Sequence, residues 1–327
     1  MALLDYEGFD RETNLALSQW WDFGVGSGNV GADGTGALGY GRACNVPYGN
    51  GRNIPATQTL WWQAHIYVGV VPGGDWAVKW NDSGSSQCLF GFESDLRAKV
   101  WINGGSSASP SPVMALNSYN FVQIKLHVAA VGGYYEIWVN GVLQHTFSGD
   151  TQITGNAYVN QWALFNSGGE RFDNIVVYDE DPSSEPFART LETRIYAELV
   201  TGDETVAWTP LSGSNWQNVD EQPNDGDTSY VSTLALVDDV LTCQTSIPAG
   251  NTVYAVAVEF DARKDDPGTA ILAPLVEAGG VSYEGDAAGL TTTYQRFRTI
   301  WTENPATGNL WTVNEANAAN IGYRRTT

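Results

Sequence analysis

Basic residues are scarce in this sequence. Sixteen Lys and Arg residues stand against 37 Asp and Glu residues in a chain of 327, which gives a formal net charge of −21 at pH 7. A phosphate backbone would repel such a chain, and no local basic patch is visible in either half. The composition therefore argues against nucleic-acid binding, while the acidity favours solubility and could attract divalent cations.

Long hydrophobic runs are also missing. No stretch approaches the roughly 18 uncharged apolar residues that a membrane-spanning helix needs, so the sequence predicts no membrane partner. At the start of the chain, Asp5, Glu7 and Asp10 fall where a signal peptide requires an uninterrupted apolar run. We therefore expect the chain to have no secretion signal and to be synthesised in a cytoplasm.

Cysteines are few, and their spacing is irregular. The three residues Cys44, Cys88 and Cys243 suit neither a zinc site nor a disulfide framework. Cys44 and Cys88 could pair if oxidised, but free buried thiols are the favoured interpretation. Heptads, glycine periods and short internal repeats are absent too, which argues against a fibrous shaft.

Alternating apolar and polar residues are what the sequence does contain. Residues 122–128 alternate with period two, which is typical of a half-buried strand. Asn140 and Gly141 separate two further strand-like runs, and Asn-Gly in that setting is a strong hairpin signal. The pattern predicts an all-β protein.

The length favours two domains. The acidic, Pro- and Ser-containing segment 180–186 is the best linker in the chain. We predict a first domain over residues 1–182, a linker or entering segment over 183–202, and a second domain over 203–327. Strands of the second domain are predicted at about 230–237, 240–246, 252–262, 270–277 and 293–301.

Two motifs of the first half carry a family resemblance. The hairpin residues Trp138–Gly141 and the later run Phe172–Val176, which begins Phe-Asp-Asn, resemble the laminin-G and concanavalin A-like jelly-roll superfamily. The resemblance covers residues 1–180 and implies a jelly-roll sandwich. Members of that superfamily include glycan-binding lectins, glucanases, lyases and structural modules.

Catalytic residues are hard to find in this framework. A glucanase needs two carboxylates, about 5 to 5.5 Å apart for retention, and only Glu93 and Asp95 are spaced to share one strand face. The third carboxylate of the family pattern is absent. The histidines are scattered, so each is expected to be a surface or packing residue. We expect no enzymatic activity.

Two binding sites remain open at this stage. Trp76 and Trp80 lie in a Gly-rich region and could stack on sugars, although filling the sandwich core is the favoured alternative. The loop that contains Asp220, Asp225 and Asp227 has enough oxygen ligands for Ca²⁺. Its spacing is not that of an EF-hand, and a solvated turn is the alternative. No other cofactor is implied.

The second half resembles a β-sandwich module that recurs in structural proteins of tailed bacteriophages. The resemblance rests on the run Asp225–Val231, on the turn Arg263–Thr269, and on the ending. In the ending, the residues that match are Trp301, Asn304, Pro305, Thr307, Gly308, Trp311, Thr312, Val313 and Asn317. This implies a virion protein made in the bacterial cytoplasm, surface-exposed on the capsid or tail, and present in several copies. Its partners would be other virion proteins and copies of itself. A glycan-binding adhesin is the alternative function, and a polysaccharide-degrading enzyme is a second alternative.

A short helix is predicted near the end of the chain. Thr312 and Glu315 have the spacing of a capping box, in which each side chain binds a backbone N–H at the start of a helix. Gly322 is a plausible stop signal. We expect this segment to close an edge or end of the sheet. The fold expected for the whole chain is a concanavalin A-like jelly roll followed by a second β-sandwich with a short C-terminal helix.

Overall fold

The structure is a computed structural model of the chain. It describes residues 3–7, 31–32, 44–45, 50–69, 76–103, 105–164, 170–179, 193–196, 198–221, 225–244 and 247–327. The chain divides into two units, Met1–Ile195 and Tyr196–Thr327. The division falls inside the predicted linker 183–202, and the predicted linker motif at 180–186 lies outside the described residues.

The first unit is built from strands alone in its described part. These strands are β1 (Leu3–Glu7), β2 (Gly31–Ala32), β3 (Cys44–Asn45), β4 (Asn50–Thr57), β5 (Thr59–Val68), β6 (Trp76–Asp82), β7 (Ser85–Phe92), β8 (Ala98–Ile102), β9 (Gly105–Ala108), β10 (Tyr119–His127), β11 (Gly133–Val139), β12 (Val142–Gly149), β13 (Val159–Leu164) and β14 (Glu170–Asp179).

Two antiparallel sheets form a sandwich in this unit, as predicted. The eight-stranded sheet has the order β12-β11-β10-β5-β14-β3-β2, with β1 also paired to β14. The six-stranded sheet has the order β4-β13-β6-β7-β8-β9. Because side chains alternate along a strand, each sheet has one face toward the core and one face outward.

Three tryptophans fill the core between the sheets. Trp62, Trp80 and Trp162 are each 0% exposed. The rings of Trp62 and Trp80 meet edge to face with centroids 6.1 Å apart. Trp162 Nε1 donates to Oδ2 of the buried Asp5 at 2.8 Å, and this bond joins the two sheets. Full burial of each large apolar side chain contributes about 1.5–3 kcal/mol.

The predicted hairpin is confirmed. β11 and β12 pair on either side of Asn140 and Gly141, whose φ angles of 50° and 78° are those of a tight turn with two left-handed residues. Asn140 Oδ1 also accepts from the Phe121 N–H at 2.9 Å, so the turn is tied to the neighbouring strand.

Cys88 is the cysteine that the structure describes in this core. Cys88 is free and fully buried, and desolvation raises its pKa. Cys243, in the second unit, is partly buried, and the side chain of Cys44 lies outside the described residues. No helix of the described residues has the length and hydropathy that crossing a membrane requires.

In its described residues, the second unit contains shorter strands, one 3₁₀ turn (Trp216–Asn218) and one helix. The elements are β15 (Val200–Thr205), β16 (Thr209–Pro210), β17 (Val231–Ser232), β18 (Asp238–Cys243), β19 (Val256–Ala262), β20 (Ile271–Ala278), β21 (Val281–Glu284), β22 (Ala288–Gly289), β23 (Gln295–Trp301), α1 (Val313–Asn317) and β24 (Asn320–Arg325). Of the predicted strands, the one at 230–237 is reduced to the two residues of β17.

The second unit is also a β-sandwich. Its main sheet has the order β15-β18-β24-β20-β21, with β22 also paired to β20, while β19 and β23 form a separate ribbon. Phe260 of β19 stacks on Phe297 of β23 with centroids 5.4 Å apart, and it meets Tyr323 of β24 at 5.5 Å. These aromatic contacts pack the ribbon on the main sheet.

The capping box is confirmed, but the predicted stop at Gly322 is wrong. Thr312 Oγ1 accepts from the Glu315 N–H, and the Glu315 carboxylate accepts from the Thr312 N–H. Helix α1 ends at Asn317, whose side-chain amide accepts from the Ile247 N–H at 2.9 Å and donates to the Ile247 carbonyl at 3.0 Å. The chain then enters β24, which lies between β18 and β20. The ending therefore does more than close an edge, since it supplies a central strand.

A buried carboxylate secures this central strand. Asp239 of β18 is 0% exposed. Its oxygens accept from the N–H groups of Ala207 and Trp208 at 2.8 and 3.0 Å, from Asn215 Nδ2 at 2.9 Å, and from the Tyr323 hydroxyl at 3.1 Å. Burial, together with the charge of Asp239, raises the pKa of Tyr323 well above its usual value. The phenol therefore stays a donor to Asp239.

Gly322 is required by the close approach of β24 to β18. A Cβ at this position would lie 2.1 Å from the backbone oxygen of Asp239. We expect Gly322→Ala to destabilise the second unit by about 2 kcal/mol or more, because the strands must separate to admit the methyl group. Hydrogen exchange of peptides covering β18, β20 and β24 measures the loss.

Gly289→Ala is the matched control, since a Cβ at Gly289 meets nothing within 4 Å. Unchanged exchange in Gly322→Ala would show that β24 is not packed as described.

Candidate functional site

Trp80 is not available to a ligand. The sequence predicted that Trp76 and Trp80 could both stack on sugars. Both lie on β6, but Trp80 points into the core and is 0% exposed. The prediction for Trp80 is therefore wrong, because its strand position alternates with Lys79 and falls on the inner face. Trp76 is partly exposed and lies opposite Gly91, on the outer face.

The outer face of the six-stranded sheet presents residues in lateral rows. One row crosses the whole sheet in the order Gly51, Ala163, Lys79, Leu89, Trp101 and Ser106. A second row contains Trp76, Gly91, Lys99 and Ala108. We call these two rows the outer platform. Lys79, Leu89 and Trp101 are partly exposed, and most of the remaining positions have small side chains.

Trp101 is the residue that sequence reasoning missed. It lies on β8 between Val100 and Ile102, which both belong to the core. The signal was present in β8, where Ala98, Val100 and Ile102 alternate with Lys99 and Trp101. Such alternation sends every second residue outward.

Lys99 and Trp76 form a fixed pair on the platform. Lys99 is 5% exposed, and its Nζ lies 4.5 Å from the centroid of the Trp76 ring. A cation over an aromatic face is attracted by the ring quadrupole. The ammonium therefore occupies one face of Trp76, and the ring positions a charge as well as offering apolar surface.

Lys79 is held differently. Its side chain is partly buried between Ala163 and Leu89 in the row, and desolvation lowers its pKa. Burial lowers the pKa of an amine because the charged form loses water.

Amides extend the site along the same face. Asn53, Gln161, Asn81 and Ser86 form a third row. Gln161 Nε2 donates to Asn53 Oδ1 at 2.9 Å, while its Oε1 accepts from the Gly84 N–H at 2.8 Å. Asn81 is 3% exposed, and its Oδ1 has no hydrogen-bond partner within the described ranges of the chain. This row adds hydrogen-bonding groups beside the platform.

The outer face of the eight-stranded sheet is covered in one part and partly exposed at Tyr67 and Tyr119. In the covered part, Trp61, Trp138 and Tyr178 are only 6–8% exposed. Leu3 and Ile195 pack against them. Lys125 Nζ lies 5.3 Å from the Trp61 ring centroid. These rings are covered, so they offer little surface for stacking on a sugar.

Glu93 and Asp95 do not share a strand face, contrary to the prediction. Strand β7 ends at Phe92, and both carboxylates lie in the following turn, where the Leu96 N–H donates to the Glu93 carbonyl. Asp95 Oδ2 accepts from Arg97 Nε at 2.7 Å. Desolvation alone would raise the pKa of Asp95, but the hydrogen bonds and the charge of Arg97 outweigh it and lower the pKa. A general acid needs a raised pKa, so Asp95 is unsuited to that role.

The three histidines occupy separate places. His65 is 2% exposed and packs beside Phe121. His127 bonds Thr59 through Nδ1 and stacks on Tyr134. His145 Nε2 is 2.9 Å from Ser107 Oγ, and desolvation lowers its pKa.

The acidic loop of the second unit does not gather into a metal site. Among the described residues, no group of three or more His, Cys, Asp or Glu side chains could hold an ion. Asp227 Oδ1 instead accepts from the Arg263 guanidinium at 2.8 and 3.1 Å and from the Tyr294 hydroxyl at 2.9 Å. Asp225 accepts from Ser229. The predicted ligands Asp220, Asp225 and Asp227 are therefore not brought together, because Arg263 neutralises Asp227.

Comparisons with known proteins give remote likenesses. No family model matches the chain, and no curated protein matches it. Among solved structures, it is similar to galectin LEC-6 of Caenorhabditis elegans, at 13% identity and a TM-score of 0.31, over 41% of this chain and 93% of the galectin.

Two further structures give similar values. The endo-β-1,4-glucuronan lyase of the fungus Trichoderma reesei has 11% identity and a TM-score of 0.37, over 55% of this chain and 96% of the lyase. The binding domain of botulinum neurotoxin serotype D has 8% identity and a TM-score of 0.35, over 85% of this chain and 91% of that domain. Likeness at this level does not specify a ligand.

The engagement of Asp227 generates a prediction about calcium. Calcium chloride and a chelator are expected to leave the thermal unfolding of the second unit unchanged, because the Asp227 carboxylate is already bound by Arg263 and Tyr294. Calorimetry of the full chain in both buffers tests this. A calcium-dependent rise in the midpoint that disappears in Asp227→Asn would restore the calcium site.

Proposed function

We propose that this chain is a non-enzymatic accessory protein of a tailed-phage particle, and that its first unit binds glycan through the outer platform. The platform is the observation that carries the binding function. The phage-like residues of the second unit support the location.

The platform has the surface that sugar recognition needs. Trp101 supplies a flat, partly exposed ring, and the small residues Gly91, Ser106 and Ala108 leave room beside it. Sugar rings have apolar faces that pack on aromatic side chains and hydroxyls that need polar partners. Gln161 and Lys79, which are partly exposed, supply such partners. Because the platform lies on strands that pack on a rigid core, it is already shaped for a ligand.

Among the residues that the structure describes, the predicted acid pair of Glu93 and Asp95 does not form, which supports binding without turnover. Glu93 and Asp95 lie in a turn, and Arg97 holds Asp95 ionised. None of the three histidines lies in the rows of the platform. Protein-bound glycan is therefore expected to be released unchanged.

The second unit supports a role in particle assembly. Residues that carry the phage resemblance contribute to its internal packing, since Trp311 Nε1 donates to the Trp301 carbonyl at 2.9 Å and Asn304 is 2% exposed. The turn at 263–269 is exposed and braced by Arg263. A rigid, exposed turn suits contact with a neighbouring subunit. Several symmetric copies, held by other virion proteins, are the expected arrangement.

Replacing the stacking ring should weaken binding. Trp101→Ala is expected to reduce affinity about tenfold for glycans that bind the wild type on an array, equivalent to about 1.4 kcal/mol. Trp101→Phe should retain most of the affinity. Titration calorimetry gives the dissociation constants, and analysis of the recovered glycan checks that it is intact.

Tyr230→Ala is the aromatic control, because Tyr230 is 37% exposed in the second unit. Binding that is insensitive to Trp101→Ala, or absent for every glycan, would refute the platform. Cleaved glycan would refute the non-enzymatic assignment.

Particle location is tested separately. Mass spectrometry of gradient-purified phage particles should detect the chain in multiple copies, and antibody labelling should place it at the particle surface. Its absence from particles would remove the virion role without affecting the glycan-binding measurement.

A further inference from the structure

We propose that the second unit pairs with a second copy of this chain through an exposed, uncharged patch of apolar residues. This inference goes beyond the proposed function, because it depends neither on glycan binding nor on a location in a virion.

Exposed apolar side chains are concentrated in one part of the second unit. Five large ones are 37–87% exposed, namely Val206, Leu211, Tyr230, Leu234 and Leu236. We call these five residues the apolar patch. The other exposed large hydrophobic residues in the described part of this unit are Val281 and Leu310. Most of the exposed apolar surface of the unit therefore comes from two short segments, 206–211 and 230–236.

The two segments run side by side in opposite directions. Strand β16 of the first segment pairs with β17 of the second. At one end of this pairing, the Leu211 N–H donates to the Tyr230 carbonyl at 2.9 Å. At the other end, Trp208 Nε1 donates to the Val237 carbonyl at 3.2 Å. The residues of the apolar patch therefore lie close together on the surface of the unit.

Hydrogen bonds hold both segments in place. The N–H groups of Ala207 and Trp208 donate to the buried Asp239 at 2.8 and 3.0 Å. In the second segment, the Thr233 carbonyl accepts from Arg325 Nη1 at 3.0 Å. Because the backbone of the patch is already fixed, less conformational entropy is lost when a partner binds.

The segments around the patch carry no charge. Residues 205–219 and 228–237 contain no Asp, Glu, Lys or Arg, although the chain has 37 acidic residues and a net charge of −21. In a two-fold pair the same surface is used by both copies, so a net charge on it would meet an equal charge of the same sign. Like charges placed opposite each other cost several kcal/mol. An uncharged surface on an acidic chain is therefore suited to a second copy, whereas a basic partner would be attracted by acidic residues.

The composition and size of the patch indicate a weak pair. Exposed hydroxyl residues, Thr209, Ser212 and Ser232, lie among the apolar side chains and could form hydrogen bonds at the rim. Contiguous apolar patches of a few hundred Å² on soluble proteins often mark interaction sites. Five side chains are few for a standard interface of about 1,600 Å². We therefore expect a dissociation constant in the micromolar range.

Sedimentation velocity of the full chain over a concentration series tests the pairing. We expect monomers at low concentration and dimers at high concentration. Raising sodium chloride from about 0.05 to 0.5 M should strengthen the dimer several-fold, because salt screens the repulsion between two acidic chains and does not weaken an apolar contact. Hydrogen exchange at low and high concentration should show protection of residues 205–213 and 230–237 in the dimer.

Leu234→Asp is expected to weaken dimerisation about tenfold or more, because both copies then carry a carboxylate in the patch. Leu234→Met should dimerise like the wild type. Leu234 is 87% exposed, so neither change disturbs the packing of the unit. Val281→Asp is the matched control, since it adds the same charge at a residue that is 53% exposed and lies outside the patch. Thermal melting confirms that each variant is folded.

A chain that stays monomeric at every concentration would overturn the inference. Dimerisation that Val281→Asp weakens as much as Leu234→Asp, or that salt weakens, would place the contact elsewhere and overturn it as well. If the chain is monomeric and Leu234→Asp still prevents its incorporation into phage particles, the patch binds another virion protein and not a second copy. A dimer that binds no glycan and is absent from particles would support this inference and refute the proposed function.

Discussion

The packing of Trp62, Trp80 and Trp162 between two sheets determines what the rest of the first unit can present. These rings are fully buried, and each fixes the direction of its strand. Because Trp80 faces inward, its neighbour Lys79 must face outward. Because Val100 faces inward, its neighbours Lys99 and Trp101 must also face outward. A slip of one residue would turn Lys79 and Lys99 toward the core and the apolar residues of these strands outward. The chemistry of the outer platform is therefore a consequence of the hydrophobic register.

Alternation made much of this fold predictable. The hairpin at Asn140 and Gly141 and the capping box at Thr312 and Glu315 depend on local geometry, which neighbouring residues specify, and both were predicted correctly. Trp80 was misassigned because its strand lies in a Gly-rich region where the inner face was not evident. Trp101 was overlooked because a single tryptophan in a short strand looks like a core residue until the opposite face is identified.

Long-range pairing accounts for the remaining errors. Asp227 looked like a metal ligand among nearby acids, but Arg263 is 36 residues away in sequence and no local pattern joins the two. Gly322 looked like a helix stop because glycine is common there. Its actual role depends on the backbone of Asp239, a contact between distant strands. Such contacts follow from the whole fold and leave no signature in a short window.

The central position of β24 also affects how the second unit folds. Strand β24 pairs Gly322 with Val240 on one side and with Leu275 on the other. The main sheet therefore stays divided until residues far apart in sequence meet, and the loop-closure entropy must be overcome before either pairing is gained. Until then β18 and β20 both have open edges, which are prone to pairing with other chains. The ending of the chain thus governs the period during which this unit is vulnerable to aggregation.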